Sequence, residues 1–365
     1  MQVIIDEKEK QVIETGNHMP AVSIILPLNV IKSLEHETKL ALKFALDKVK
    51  KQLFDNYPGE RASLAINRLK DVISNIDYTL CKKSLAIFVS PVKEEVFYLD
   101  IPVEERIVIN ESFEIRDLIY NKKANQAVLV LLLSGEFARI YYAFGKTFKS
   151  VKIPVADNVF AYKTDMPERT GNFSDPPGHK EIMLNKFLHH IDIGLSGIIK
   201  QYNYPVFVLG AKRVLGHFKK ITHHADKIVQ FIHGNFFDVR ENEILETVNS
   251  YLPVLQQQRE KYFLHLLEEA AGKGVLVCGI NNLWAEGNNK NIRLLIVEKD
   301  FNFPVWRGEG DDAIQEQAGS SDSFYFKDAV DDLMQKVLEC GGDIEFTGNG
   351  VLGKYEGAAA ILYHR

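Results

Sequence analysis

The spacing of apolar residues in the first third of the chain predicts strands at both ends of a helix pair. Residues 22–26, Val-Ser-Ile-Ile-Leu, form a largely apolar segment closed by Pro27, which is typical of a buried strand. Two amphipathic helices are predicted next, from apolar positions at helical spacing: Leu42, Leu46, Val49 and Leu53, then Ala62, Ile66, Leu69, Ile73 and Ile76. Residues 84–90 are predicted to form a strand, and residues 95–99 its hairpin partner. We therefore predict an N-terminal α/β domain over residues 1–110.

The middle of the chain predicts a sheet with one deeply buried strand. Residues 127–133, Ala-Val-Leu-Val-Leu-Leu-Leu, are too apolar for a solvent-facing strand and should be central. Turn residues separate this run from 137–142 and 147–155, which predicts a three-stranded meander. A helix, a strand at 205–209 and a second helix at 214–221 follow. The order strand-strand-strand-helix-strand-helix predicts a ribonuclease-H-like middle domain over residues 111–240, entered through a short helix at 113–120.

The last third predicts a third α/β domain over residues 241–365. Its expected elements are a long helix at 241–271, a helix at 275–286, a strand at 291–297, a helix at 328–338, and strands at 343–346 and 358–363. The acidic stretch 309–322 is expected to be an excursion that faces solvent or a protein partner, because its charge would repel RNA. The predicted fold class is α/β, with three domains that are each a mixed sheet with helices.

Composition narrows the class of protein. The 365 residues are 46% hydrophobic and 25% charged, as in an ordinary globular protein, and a net charge of -5 gives no global signature of nucleic-acid binding. Cys81, Cys278 and Cys340 are far apart and form no Cys-x-x-Cys pair, which argues against a disulfide framework and fits a reducing cytosol. No apolar run is long enough to span a membrane, and the N-terminus lacks signal-peptide features. We expect a cytoplasmic protein without a membrane partner.

The most conspicuous loop lies at residues 163–178, between a predicted strand and a helix that begins near Glu181. Loops this long in compact domains usually have a function or are disordered. We predict that it contacts a partner, through cations suited to phosphate and through its Pro-Pro-Gly end, at the following residues: Arg169, Pro176, Pro177, Gly178, His179 and Lys180. The simpler interpretation is that the prolines only form a rigid start to the helix, since proline is favoured near helix starts.

Basic residues on the two N-terminal helices are a second candidate contact surface. Lys39, Lys43, Arg61 and Arg68 lie off the apolar stripes and could contact RNA backbone in a salt-dependent manner. The alternative is that they are only the solvated side of an amphipathic helix pair.

Motifs for catalysis, metals and cofactors are missing from the sequence. The histidines of the middle region, such as the pairs His189-His190 and His223-His224, lack the spacing of a zinc site, even with Asp192 and Asp226 nearby. No phosphate-binding loop, dinucleotide fingerprint or Gly-x-Ser-x-Gly elbow occurs, and the central strands lack the clustered carboxylates of a metal nuclease. We expect no metal, no cofactor and no catalytic residue, and a protein that is not an enzyme.

The order of several segments resembles archaeal and eukaryotic class-1 release factors. Residues 22–27 with the basic helices and 85–90 resemble their first domain, and the meander, loop, helix and 205–210 resemble their middle domain. The segments 341–346 and 359–362 resemble their third domain. The resemblance spans nearly the whole chain, and it is best matched by the bacterial branch, the bacterial archaeo-eukaryotic release factor-like proteins.

This resemblance implies contact with the ribosome, its RNA or tRNA, but not peptide release. Release factors carry Gly-Gly-Gln at the end of the middle-domain loop, where it helps water attack the peptidyl-tRNA ester. The matching position here reads Pro-Pro-Gly-His at residues 176–179, and the only Gly-Gly of the chain, Gly341-Gly342, precedes Asp343. Pelota-type rescue proteins and Balon-type hibernation factors are relatives that lack the tripeptide. We therefore predict a binding role in rescue, hibernation or the handling of stalled complexes.

Two other hypotheses stay open at this point. One is a hydrolase, acting on peptidyl-tRNA or dependent on a metal, that uses residues 163–200. The other is a stress-associated interaction module, with the C-terminal domain as a possible site for a protein partner.

Overall fold

The computed structural model describes residues 7–13, 19–28, 35–78, 80, 82–124, 126–161, 176–236, 238–306 and 326–364. The chain divides into two compact units. Unit 1 combines residues 1–124 with 260–365, and unit 2 comprises residues 125–259. The three-way division at 1–110, 111–240 and 241–365 stays a prediction. Within the described residues, no helix is long and apolar enough to cross a membrane.

The first part of unit 1 is built on an antiparallel sheet in the order β3-β2-β1-β4. Its elements are α1 (Glu7–Ile13), β1 (Ala21–Pro27), α2 (Glu35–Asn56), α3 (Gly59–Ser74), β2 (Ser84–Val89), β3 (Glu94–Leu99), β4 (Arg106–Asn110) and α4 (Arg116–Ala124). The strand, helix pair and hairpin predicted from the sequence are confirmed.

Strand β1 is apolar except at Ser23 because both of its faces are covered. Val22, Ile24 and Leu26 point towards α2 and α3, which bury Leu42, Val49, Leu53, Ala65 and Leu69 on that face. Ile25 points to the other face, into a core that also includes residues from α4, β14 and α9. Side chains alternate across a strand, so two covered faces favour apolar residues at successive positions.

The second part of unit 1 has a mixed sheet in the order β10-β15-β11-β14, in which only β11 and β14 are parallel. Its elements are the end of α7 (Glu241–Lys273), β10 (Leu276–Cys278), α8 (Ile280–Asn288), β11 (Ile292–Glu298), β12 (Pro304–Trp306), β13 (Phe326–Asp328), α9 (Ala329–Glu339), β14 (Asp343–Thr347) and β15 (Ala358–Leu362). Strands β12 and β13 pair with each other. Helices α8 and α9 cover one face, and Phe263 and Leu267 of α7 cover the other.

A buried acidic cluster joins the two parts of unit 1. Asp331, 2% exposed, accepts hydrogen bonds from the backbone N–H groups of Ile115 (3.2 Å) and Arg116 (2.9 Å) at the start of α4. The Arg116 guanidinium pairs with Asp328 at 2.5 Å. Burial, reinforced by the nearby Glu114 carboxyl, raises the pKa of Asp331 well above its usual range. These contacts explain how α4 is held.

Two helices predicted from the sequence have different bounds in unit 1. The helix expected at 113–120 starts at Arg116 and belongs to unit 1, because Asp331 caps its first N–H groups, a contact that no local pattern reveals. The helix expected at 275–286 is preceded by strand β10, and α8 begins only at Ile280. Gly279 has a φ of 78° between the two elements, which breaks helical geometry.

Unit 2 is a five-stranded sheet in the order β7-β6-β5-β8-β9. Its elements are β5 (Val128–Leu133), β6 (Ala138–Phe144), β7 (Thr147–Val151), α5 (Pro176–Tyr202), β8 (Val206–Gly210), α6 (Lys212–Ile221), β9 (Ile228–His233) and the start of α7. Strands β5, β6 and β7 form an antiparallel meander, and β5, β8 and β9 are parallel. This is the ribonuclease-H-like arrangement predicted from the sequence, with β5 central as expected; β9 was not predicted.

Both faces of the unit 2 sheet are covered by helices. Leu129, Leu131 and Leu133 of β5 pack against α5 and α6, whose buried residues include Phe187, Leu188, Ile191, Leu195, Leu215 and Phe218. The alternate residues Val128 and Val130 pack on the other face, where α7 contributes Ile244 and Val248. As a result, α5 and α6 lie side by side on one layer, and their outer surfaces face solvent.

Candidate nucleic-acid interface

The contact loop expected at 163–178 falls largely outside the described residues, and Arg169 with it. The structure starts α5 at Pro176, so residues 176–178 are the first turn of the helix and not the loop end that was expected. Two prolines are compatible with this turn because the first helical N–H groups have no partner within the helix. Lys180, in the same helix, is exposed. Partner contact through this segment stays a prediction.

The four predicted cations of the N-terminal helices differ in their surroundings. Lys43 and Arg61 are exposed on α2 and α3. Lys39 is exposed as well, and its Nζ lies 5.2 Å from the centre of the Tyr78 ring. Arg68 is engaged inside the chain, since its Nε donates to the Pro91 carbonyl (3.1 Å) and its guanidinium lies 3.4 Å from Glu94. Of this set, Arg68 is the least suited to an external phosphate.

A buried carboxylate in unit 2 ties α5 to the loop that follows α6. Asp192 is 3% exposed. It accepts hydrogen bonds from the Thr222 hydroxyl (2.7 Å) and the His223 backbone N–H (3.2 Å), and His223 Nδ1 lies 2.9 Å from the same carboxylate. A buried carboxylate needs such partners to offset its loss of hydration. The result is a fixed junction between the middle of α5 and the C-terminal end of α6.

Ser196 and His224 lie next to this junction, but their arrangement is not that of a catalytic nucleophile and its general base. Ser196 Oγ lies 2.6 Å from His224 Nε2 and 3.2 Å from the backbone carbonyl oxygen of Asp192. The carboxylate of Asp192 is 3.9 Å from the same Nε2 and not beside Nδ1, where it would orient a general base. The contacts are structural.

Metal binding gains no support from the histidines. Within the ranges that the structure describes, no group of three or more His, Cys, Asp or Glu side chains is arranged to hold an ion. His223 is largely exposed beside Asp192, and His217 Nε2 lies 3.3 Å from Glu181 on α5. Each of these histidines has a carboxylate partner within the protein.

The outer face of α6 carries a cluster of cations that the sequence interpretation did not single out. Lys212, Arg213, Lys219 and Lys220 are all exposed, whereas Val214, Leu215 and Phe218 on the opposite face are buried. The helix contains no acidic residue. We call these four residues with Gly216 the α6 basic face. The spacing of Lys and Arg around a central Gly was the signal available in the sequence.

A cleft lies next to the α6 basic face, where α6 meets strand β9. Its volume is about 420 Å³, and its lining includes Lys219, Thr222, Gln230, Phe231 and His233. Lys219 Nζ stands 5.8 Å from the centre of the Phe231 ring. The cleft thus combines an aromatic ring, a cation, an amide and a hydroxyl beside the basic face.

Comparison with known proteins places the chain among release-factor-like proteins. Residues 129–291, from β5 through α8, match the model of the bacterial archaeo-eukaryotic release factor family 3. The match covers just under half of the chain. It confirms the resemblance inferred from the sequence: the chain is a relative of the bacterial archaeo-eukaryotic release factors.

Solved structures that the comparison matches to the chain include archaeal translation termination factor aRF1, at 14% identity and a TM-score of 0.24, covering 94% of this chain and 92% of that one. Pelota from Archaeoglobus fulgidus matches at 11% identity and a TM-score of 0.37, over 77% and 80%. Dom34 from S. cerevisiae matches at 13% identity and a TM-score of 0.38, over 80% and 82%. No curated protein matches the chain.

Proposed function

We propose that this chain is a ribosome-associated, release-factor-like protein that acts by binding, in rescue, hibernation or the handling of stalled complexes. The observation that supports the proposal is the family match over residues 129–291, which includes α5 and α6 of unit 2. Its proposed partner is ribosomal RNA or tRNA. The exposed cations of α2, α3 and α6 supply the local positive charge that the net charge of -5 does not.

The proposal excludes hydrolysis of peptidyl-tRNA. The sequence has no Gly-Gly-Gln. At the matching position, Pro176-Pro-Gly-His179, the first glycine of the pair is replaced by Pro177, which has no backbone N–H. The Ser196–His224 contact offers no substitute, because the Asp192 carboxylate lies near His224 Nε2 and not beside Nδ1, where it would orient a general base. We propose that the segment 163–180, with Arg169 and Lys180, serves contact only.

Sedimentation of cell lysates through sucrose gradients tests ribosome association. We expect the protein to comigrate with ribosomal particles at low salt and to dissociate as salt rises, because phosphate contacts release counterions. The matched control is the same lysate treated with ribonuclease, which should move the protein to the top. A protein that stays at the top at low salt, in stressed and unstressed cells alike, would contradict the proposal.

A release assay with ribosomes carrying labelled peptidyl-tRNA tests the absence of hydrolysis. We expect the wild type to release no peptide. The double substitution Pro177→Gly with His179→Gln supplies the missing tripeptide at the matching position with two changes. Release by that variant alone would support binding in the orientation of a release factor, whereas release by the wild type would refute the binding-only role.

A further inference from the structure

The charges of the α6 basic face are not explained by the stability of the helix. Lys219 and Lys220 lie in the last turn, where cations interact favourably with the helix dipole. Lys212 and Arg213 are the first two residues of the same helix, where the dipole favours anions and disfavours cations. A helix selected for stability alone would carry Asp or Glu at those two positions.

These cations are also not neutralised within the protein. In the part of the chain that the structure describes, Lys212, Arg213, Lys219 and Lys220 have no carboxylate within ion-pair distance. Glu181, an acidic residue of α5, is directed to His217. The positive charge of this face is therefore available to an external anion.

Gly216 lies in the interior of the helix, between the two pairs of cations. Glycine is a poor helix former compared with alanine. Its backbone does not have a positive φ, and a Cβ added there would meet no atom within 4 Å, so neither conformation nor internal packing requires a glycine. Glycine at a surface position permits close approach of another molecule's backbone. Gly216 therefore leaves a surface position without a side chain, and cations flank it on both sides.

The composition of the face distinguishes RNA from protein as its partner. The centres of protein interfaces are rich in aromatic and apolar side chains. Among the described residues, none of the large apolar side chains that are exposed lies on α6. From Lys212 to Lys219 the helix rises about 10 Å, which spans about three nucleotides of one strand. An array of cations without apolar anchors suits a phosphate backbone.

We propose that the α6 basic face binds the phosphate backbone of RNA, with Gly216 admitting the strand closely between Lys212–Arg213 and Lys219–Lys220. This inference rests on the proposed function for the choice of RNA, and it adds the surface that makes the contact. The Asp192 junction holds the C-terminal end of α6 in place. The four cations are thus presented from a fixed helix.

Fluorescence titration of the full-length protein with labelled oligouridine tests the proposal. We expect the double variant Lys219→Glu, Lys220→Glu to bind at least about tenfold more weakly, and to lower the slope of log affinity against log salt by about 1.4. The matched control, Lys261→Glu with Lys354→Glu, makes the same charge change at exposed positions of unit 1 and should bind as the wild type does.

A neutral variant separates close approach from charge. Gly216→Gln adds a long uncharged side chain at an open surface position and retains every cation. We expect weaker binding with an unchanged thermal midpoint or a higher one. The proposal is overturned if the control pair weakens binding as much as the α6 pair, if both α6 variants bind like the wild type, or if labelled polyglutamate binds as tightly as oligouridine.

The titration and the sedimentation experiment fail in different ways. Binding of oligouridine through α6 without comigration with ribosomes would overturn the proposed function and support this inference. Undiminished comigration of the α6 charge-reversal variant would overturn this inference and support the proposed function.

Discussion

Glu114 provides a test of how burial controls the stability of unit 1. Its side chain lies in the buried acidic cluster, where it accepts a hydrogen bond from Asn110 Nδ2 at 3.3 Å. Burial raises the pKa of Glu114 from 4.5 to about 7, and the Asp328 carboxylate adds to this rise. The Arg106 guanidinium opposes the rise without cancelling it.

The direction of the pH dependence follows from the raised pKa. Between pH 4.5 and about 7 the folded protein retains a proton that the unfolded chain releases, so stability falls as pH rises through this window. At about 1.36 kcal/mol per pKa unit, the fall amounts to about 3 kcal/mol. Glu114→Gln keeps an oxygen that can accept from Asn110 and cannot ionise. We therefore expect the variant to exceed the wild type by up to about 3 kcal/mol above pH 7, and to match it below pH 4.5.

Urea unfolding followed by tryptophan fluorescence measures this difference. Both tryptophans, Trp284 and Trp306, belong to unit 1, so the signal reports on the unit that contains Glu114. Glu104→Gln, at an exposed position, is the matched control and should leave the pH profile unchanged. If the stability difference between Glu114→Gln and the wild type were the same at pH 5 and pH 8, the reasoning from burial would be refuted.

Two further substitutions test the surfaces described above. Gly216→Ala should raise the free energy of unfolding of unit 2 by about 1 kcal/mol, because alanine is the better helix former and its Cβ meets no atom; a lower thermal midpoint would contradict this. Arg61→Glu should weaken comigration with ribosomes at low salt more than Arg68→Glu does, because Arg68 is already engaged by Pro91 and Glu94; equal losses would contradict the difference.

The sequence predicted the fold well where both faces of a strand are buried. The seven-residue apolar run that contains β5 indicated a central strand, and the structure places β5 between β6 and β8 with helices on both faces. Contacts between distant segments were not predictable in this way. Asp331 fixes the start of α4 from more than two hundred residues away in the sequence. Strand β10 has only three residues, which is too short to show a hydrophobic periodicity.

The α6 basic face was not singled out from the sequence, for a physical reason. Cations opposite an apolar stripe are visible in the sequence, and on the long helices they are Lys39, Lys43, Arg61 and Arg68. The α6 basic face is distinguished by Lys212, Arg213 and Gly216, which stand at positions that are unfavourable for the helix itself. That conflict becomes visible only when the first residue of α6 is known, since the dipole argument depends on the helix boundary.

Asp192 offers a way to separate positioning from contact at this surface. Asp192→Ala leaves the Thr222 hydroxyl and the His223 N–H without their acceptor, which should destabilise unit 2 by about 1–3 kcal/mol and increase amide exchange in the loop after α6. Because Asp192 is buried and contributes no cation, we expect oligouridine affinity to fall while the salt slope stays at its wild-type value. Loss of Lys219 and Lys220 should lower both the affinity and the salt slope.

Asp226→Ala, at an exposed position in the same loop, is the control and should change neither stability nor exchange. A reduced salt slope in Asp192→Ala would mean that the cations no longer reach the RNA, and that α6 depends on the junction for its place on the sheet and not only for its rigidity.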